Sequence, residues 1–168
     1  MTKAISNDLT AENISKVLEV LASSPNELDA LSKGLSAERL RQPLGKDERS
    51  FTECITHLIN GEARSSEMIY QALLADEPFF ADLHPDRDIG KLLRFDLLEF
   101  SELLAYYKTR RKVLLRVLSG LKESQWGRVV QEQGKKRKES VYWRARTIVM
   151  HELDHISDLK NKLSKRDH

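Results

Sequence analysis

Four long segments of this chain repeat apolar residues at the period of a helix, and no run alternates between apolar and polar residues as a half-buried strand would. Such a chain is expected to be all-α. The first segment runs from about Ala11 to Ser23, with Ile14, Val17, Leu18 and Leu21 on one face and Thr10 placed to cap it. Ser24-Pro25-Asn26-Glu27 then reads as a restart. Serine, proline at the first helical position and glutamate three residues after the serine make a capping box for a short helix ending near Gly34, and another turn can begin at Ser36. A second main helix is predicted from Ser50, boxed by Glu53, to about Ala75; a third from about Lys91 to Leu118; and a last one from Ser140 to about Ser164, followed by a basic tail. Long connectors separate these three, the earlier holding Pro78 and Pro85, the later marked by Gly120, Trp126, Gly127 and Gly134.

The last helix contains His151-Glu152-Leu153-Asp154-His155. Residues four apart stack on nearly the same helical face, so the two imidazoles can grip one ion. The letters also spell HExxH, the zinc-protease signature in which the glutamate is the general base. Only thirteen residues follow His155, and among them Asp158 sits less than a turn away while His168 ends a basic tail, so the third ligand must lie upstream. His84 belongs to a proline-containing connector, Leu83-His84-Pro85-Asp86, whereas His57 lies in a strongly helical segment at the edge of the apolar stripe formed by Phe51, Cys54, Ile55, Leu58, Ile69, Ala72 and Leu73. His151 and His155 edge a matching stripe of Val141, Ala145, Ile148, Ile156, Leu159 and Leu163, so the three imidazoles can face a common cleft. Three histidines leave coordination positions free, which suits chemistry better than a closed structural site. They suit zinc, nickel, iron or copper. Cys54, one turn before His57, reads as core rather than as a fourth ligand.

Two carboxylates stand out. Glu62 and Glu152 fall near the middle of their apolar sectors, where burial demands a partner. Arg110, among Leu103, Tyr107, Leu114 and Val117 on the third helix, is placed to supply one. The group is either an internal ion pair or part of the chemistry, with Glu152 as a proton-transfer group and Glu62 and Arg110 behind the ligands.

A length of 168 residues with 40% hydrophobic and 32% charged residues fits one domain, residues 1–168, with room for a sizeable core. A net charge of +2 is too mild to imply nucleic acid, and the basic run Gly134-Lys135-Lys136-Arg137-Lys138 lacks aromatic interleaving, so it reads as a solvated loop able to attract an anionic substrate. One cysteine excludes an internal disulfide framework, and the polar start lacks a signal-peptide core, so a cytoplasmic setting is expected. No apolar run reaches the roughly 20 residues of a membrane span.

Three motifs in order resemble the DinB-like (YfiT-like) family of small metal-binding proteins: Ser50 to Leu58 followed by Glu62, the leucine-rich Leu114 to Trp126, and the pair His151 and His155. The likeness covers roughly residues 10–164. It implies a four-helix bundle of up-down-down-up topology, a long crossover between helices two and three, and a divalent metal on His57, His151 and His155. It also implies a homodimer and a small-molecule substrate, with hydrolases and thiol-dependent transferases or isomerases as the expected activities; a non-enzymatic metal-binding or regulatory protein is the alternative. Glu152 and Asp154 depart from what the family's last motif requires, and they create the HExxH spelling. A zinc protease needs a sheet edge to align its peptide, so the protease match is a coincidence of letters.

Overall fold

The computed structural model describes residues 5–164, so His168 and most of the basic tail lie outside the described residues. Seven α-helical segments are present among them: α1 (Ala11–Ser32), α2 (Ala37–Arg41), α3 (Phe51–Leu74), α4 (Lys91–Leu93), α5 (Phe100–Ser119), α6 (Glu123–Trp126) and α7 (Val141–Ser164). The four long ones, α1, α3, α5 and α7, form a four-helix bundle. Cross-helix pairs give its topology. Glu27 meets Lys160 and Ser24 meets Glu152, so α1 and α7 are parallel; Asp29 meets Lys108 and Leu21 meets Arg111, so α5 runs against α1. Phe51 meets Phe100 and Ser66 meets Arg110, so α3 and α5 are parallel, and the order is up-down-down-up. Two consecutive parallel helices cannot be joined by a tight turn, and the crossover of residues 75–99 makes the return.

The expected caps at Thr10, Ser36 and Ser50 are present, the last as a full box with Glu53. The expected restart at Ser24 is not. α1 continues through Pro25, because Ser24 turns inward to a buried carboxylate instead of capping. The third main helix starts at Phe100 rather than near Lys91: Arg94 adopts a left-handed conformation (φ 50°) that breaks the helix after Leu93, and Glu99 with Glu102 forms a new capping box.

A small sheet was not expected. β1 (Phe79–Phe80) pairs in parallel with β2 (Val129–Glu132), and β2 pairs antiparallel with β3 (Glu139–Ser140). Strands of two to four residues are too short to show alternation, and this one ties the two connectors to each other beside α3. Among the described residues no helix is long and apolar enough to cross a membrane.

The core is divided by a polar layer. One apolar cluster gathers around Leu21, Met68, Leu114 and Val149, the other around Leu28, Ile59, Tyr107 and Ile156. Between them each bundle helix contributes one buried polar residue: Ser24, Glu62, Arg111 and Glu152. Arg111 donates through Nε to Glu62 (3.0 Å), through Nη1 to Ser24 Oγ (2.8 Å) and Glu152 (3.1 Å), and through Nη2 to both carboxylates. Tyr107 donates to Glu152 at 2.5 Å and accepts from Arg111.

Candidate metal centre

His57 on α3 and His151 and His155 on α7 converge in the antiparallel α3–α7 interface. The Nε2 atoms of His57 and His151 are 2.9 Å apart, and those of His151 and His155 are 3.1 Å apart. Sequence spacing within α7 brings the last two together; only the packing of α3 brings in His57. Burial first, then the neighbouring imidazoles, pushes His155 down to about 4, and burial likewise lowers His151, so both rings are neutral near pH 7 with lone pairs available.

His57 is oriented from behind. Its Nδ1 donates to Asp86 Oδ2 at 2.6 Å, which leaves the Nε2 lone pair turned toward the other two rings. Asp86 is steadied by Asn60 Nδ2 (3.1 Å) and Arg49 (3.4 Å). It belongs to a π-helical turn, Pro85–Gly90, in the crossover, where His84 accepts from the Arg87 amide and so caps the turn. Gly90 lets that turn lie against α3, since a Cβ there would sit 2.7 Å from Asn60 Nδ2. Burial works to raise the Asp86 carboxyl, but hydrogen bonds from Asn60 and His57 outweigh it and hold the carboxyl below its usual value.

The donor set fits a divalent cation. Three nitrogens at about 2.0–2.1 Å from one ion at near-tetrahedral angles lie about 3.3–3.4 Å apart, so the His57–His151 and His151–His155 pairs need to open by only a few tenths of an ångström. Among the described residues, these three histidines make the group whose ligand atoms can share an ion. Cys54 is buried, with its sulfur 3.6 Å from His155 Nδ1, on the far side of that ring from the Nε2 cluster, and burial pushes its thiol up to about 11.

Glu152 turns away from the cluster into the polar layer, where Tyr107, Ser24 and Arg111 occupy its two oxygens and 1% of its surface is exposed. Burial raises the Glu62 carboxyl, with Arg111 opposing. The partner expected of Arg110 is chiefly Arg111, one residue further round α5. Arg110 stays at the edge, 3.7 Å from Glu62 and donating to Ser66. The two arginines differ by about 100° around α5, so Arg111 reaches both carboxylates and Arg110 reaches Glu62 alone.

The basic loop is largely paired at home. Lys135 meets Glu132 and Glu139, Lys138 meets Glu77, and Arg137 lies over the Trp143 ring with its centroid 3.9 Å away. No local pattern marks Asp86, Asn60 or the inward role of Ser24: Asp86 sits in a connector whose path depends on packing, and Ser24 carries the local signature of a cap.

The sequence model of the DinB superfamily matches residues 21–159, and the chain belongs to that superfamily. Among solved structures it is similar to YfiT from Bacillus subtilis, described as a probable metal-dependent hydrolase with an unusual four-helix bundle topology; the TM-score is 0.80 at 17% identity, over 95% of this chain and 92% of that one. No curated protein matches it significantly.

Proposed function

We propose that this protein is a metal-dependent enzyme in which His57, His151 and His155 hold one divalent ion, zinc, nickel or iron, and which acts on a small molecule as a hydrolase or as a thiol-dependent transferase. The observation that carries the reading is the convergence of three imidazoles through Nε2, one of them fixed from behind by Asp86. The description of YfiT supports it. An ion held there supplies Lewis acidity toward water, a thiol or a substrate carbonyl.

The chain's own residues set the rest. Asp86 keeps the His57 proton on Nδ1, and a cleft of about 470 Å³, lined by His57, Gly61, Ile148 and His151 among others, offers a small molecule a place beside the cluster. Glu152, with its oxygens already engaged, serves in this reading as a positioning residue that anchors α7 to Arg111, and Glu62 does the same for α3. The family resemblance further supports a homodimer, and the single cysteine fits a reducing, cytoplasmic setting. Internal pairing of the 134–138 loop argues against a nucleic-acid role.

Titration of zinc into untagged, metal-free protein against a chromophoric chelator tests the reading. One equivalent should bind tightly, and His57→Ala should abolish that binding. Unchanged stoichiometry and affinity in His57→Ala would refute the three-histidine site. Screening the loaded protein against low-molecular-weight thiols and electrophiles then separates hydrolase from transferase.

A further inference from the structure

The same cleft has a second polar wall. Arg64 lies seven residues beyond His57 on α3, and Arg144 seven residues before His151 on α7, so both arginines stand two helical turns, roughly 10 Å, from the histidine cluster on its own face. Gly61 and Ile148 lie between the two layers, leaving an open path.

Both guanidinium groups are more than nine-tenths buried, yet neither is saturated. Arg64 uses Nη2 on the Ala81 carbonyl and Glu132, and Arg144 uses Nη2 on Glu132 and Glu139, while the buried Nε of each has no hydrogen-bond partner among the described residues. Lys135 joins Glu132 at 2.7 Å and also lines the cleft. With Arg137 beside Glu139, this wall gathers four cations around two carboxylates. The buried charges balance, two arginines against Glu132 and Glu139, and Lys135 and Arg137 add positive charge at the exposed rim; what is unmet is the buried Nε of each arginine, a donor that costs free energy until an acceptor reaches it.

We propose that the Arg64–Arg144–Lys135 wall receives the carboxylate of an anionic small-molecule substrate whose reacting end lies at the three histidines. The inference rests on the metal-site reading above and adds to it the substrate's class and orientation. Planar guanidinium donors match a carboxylate's two oxygens, as Glu132 already demonstrates on the same two arginines. The spacing asks for a molecule with its charge several bonds from its reactive group.

The test compares ω-mercaptohexanoate with its uncharged analogue ω-mercaptohexanol by calorimetric titration into zinc-loaded protein. Both thiols carry the same metal-seeking end, so the difference reports the far wall. The acid should bind about tenfold or more tightly than the alcohol, the scale of charge-assisted hydrogen bonds in a shielded site. Arg144→Gln and Arg64→Gln should erase the preference without changing affinity for the alcohol. Lys135→Gln, on a loop with its side chain 42% exposed, should cut the preference about threefold whether or not the arginine variants fold. Equal affinity for the two thiols, or binding of neither, overturns the proposal while leaving the zinc site standing; failure of zinc to bind at all overturns the metal reading and this proposal with it.

Discussion

Arg111 Nη1 donates at 2.9 Å to the carbonyl of Leu21, the acceptor that Pro25, lacking an amide hydrogen four residues later, leaves without a helical partner. A proline in mid-helix would ordinarily cost about 3 kcal/mol. Here the orphaned carbonyl becomes one of the acceptors that hold a guanidinium in the core. Arg111→Met should therefore do more than remove a cation: it leaves Glu62 and Glu152 buried together and the Leu21 carbonyl bare. A loss of about 3–5 kcal/mol in urea unfolding is expected. Adding Glu62→Gln to Arg111→Met should recover part of it; no recovery would mean that lost packing, not uncompensated charge, sets the cost.

Asp86 bonds the Nδ1 edge of His57, on the far side of that ring from the Nε2 cluster. In Asp86→Asn the side-chain amide cannot hold the His57 Nδ1 proton as a carboxylate does, and zinc affinity should fall by about 10–100-fold, the usual effect of removing a partner behind a ligating histidine. Gly90→Ala should weaken zinc in the same direction, because its new Cβ displaces Asn60 and with it Asp86. Competition with a chelator measures both. Wild-type affinity in Asp86→Asn would remove it from the site.

Glu152→Gln separates two roles for that carboxylate. As a positioning residue it should retain one zinc per chain, lower Tm through its weakened bonds to Arg111 and Tyr107, and change turnover only a few-fold. A loss of about a hundredfold in turnover at unchanged Tm would make it a proton-transfer group instead.

Acid should destabilise the metal-free protein in two stages. His155 is held at about 4, below its ordinary 6.5, so the unfolded chain binds the extra proton first; the stabilisation is complete above about pH 6.5 and is lost as pH falls toward 4, with His151 adding in the same sense. Glu132 follows. Burial disfavours its charge, but hydrogen bonds from Lys135, Arg144 and Arg64 prevail and lower it to about 2 from 4.5, so its contribution disappears between those values. Tm measured between about pH 7 and about pH 5 should already fall, and zinc should be released over the same interval as protons compete for the imidazoles. A flat Tm across it would contradict the burial of neutral histidines.

The four bundle helices in outline, the capping box that Ser50 forms with Glu53, and the pairing of His151 with His155 could be read directly from the chain, because helical period and i, i+4 spacing are local and need no partner. His57 is the upstream histidine that lies on a main helix, and the fold brings it to the pair. What only tertiary structure decided lies where a side chain's role depends on its neighbours. Ser24-Pro25 carries every local mark of a helix start, yet a buried arginine from α5 offers Ser24 and the Leu21 carbonyl better bonds than a cap would. Arg110 and Arg111 are adjacent and chemically alike, and a rotation of about 100° decides which is buried. Asp86 reaches His57 from 29 residues away through a crossover whose path is set by packing on α3, and the short strands at Phe79, Val129 and Glu139 exist only because two connectors meet. Local spacing fixes the helices and the histidine pair; the orientation of His57, the burial of Arg111 and the meeting of Arg64 with Arg144 at Glu132 arise from contacts between elements that no single stretch of sequence contains.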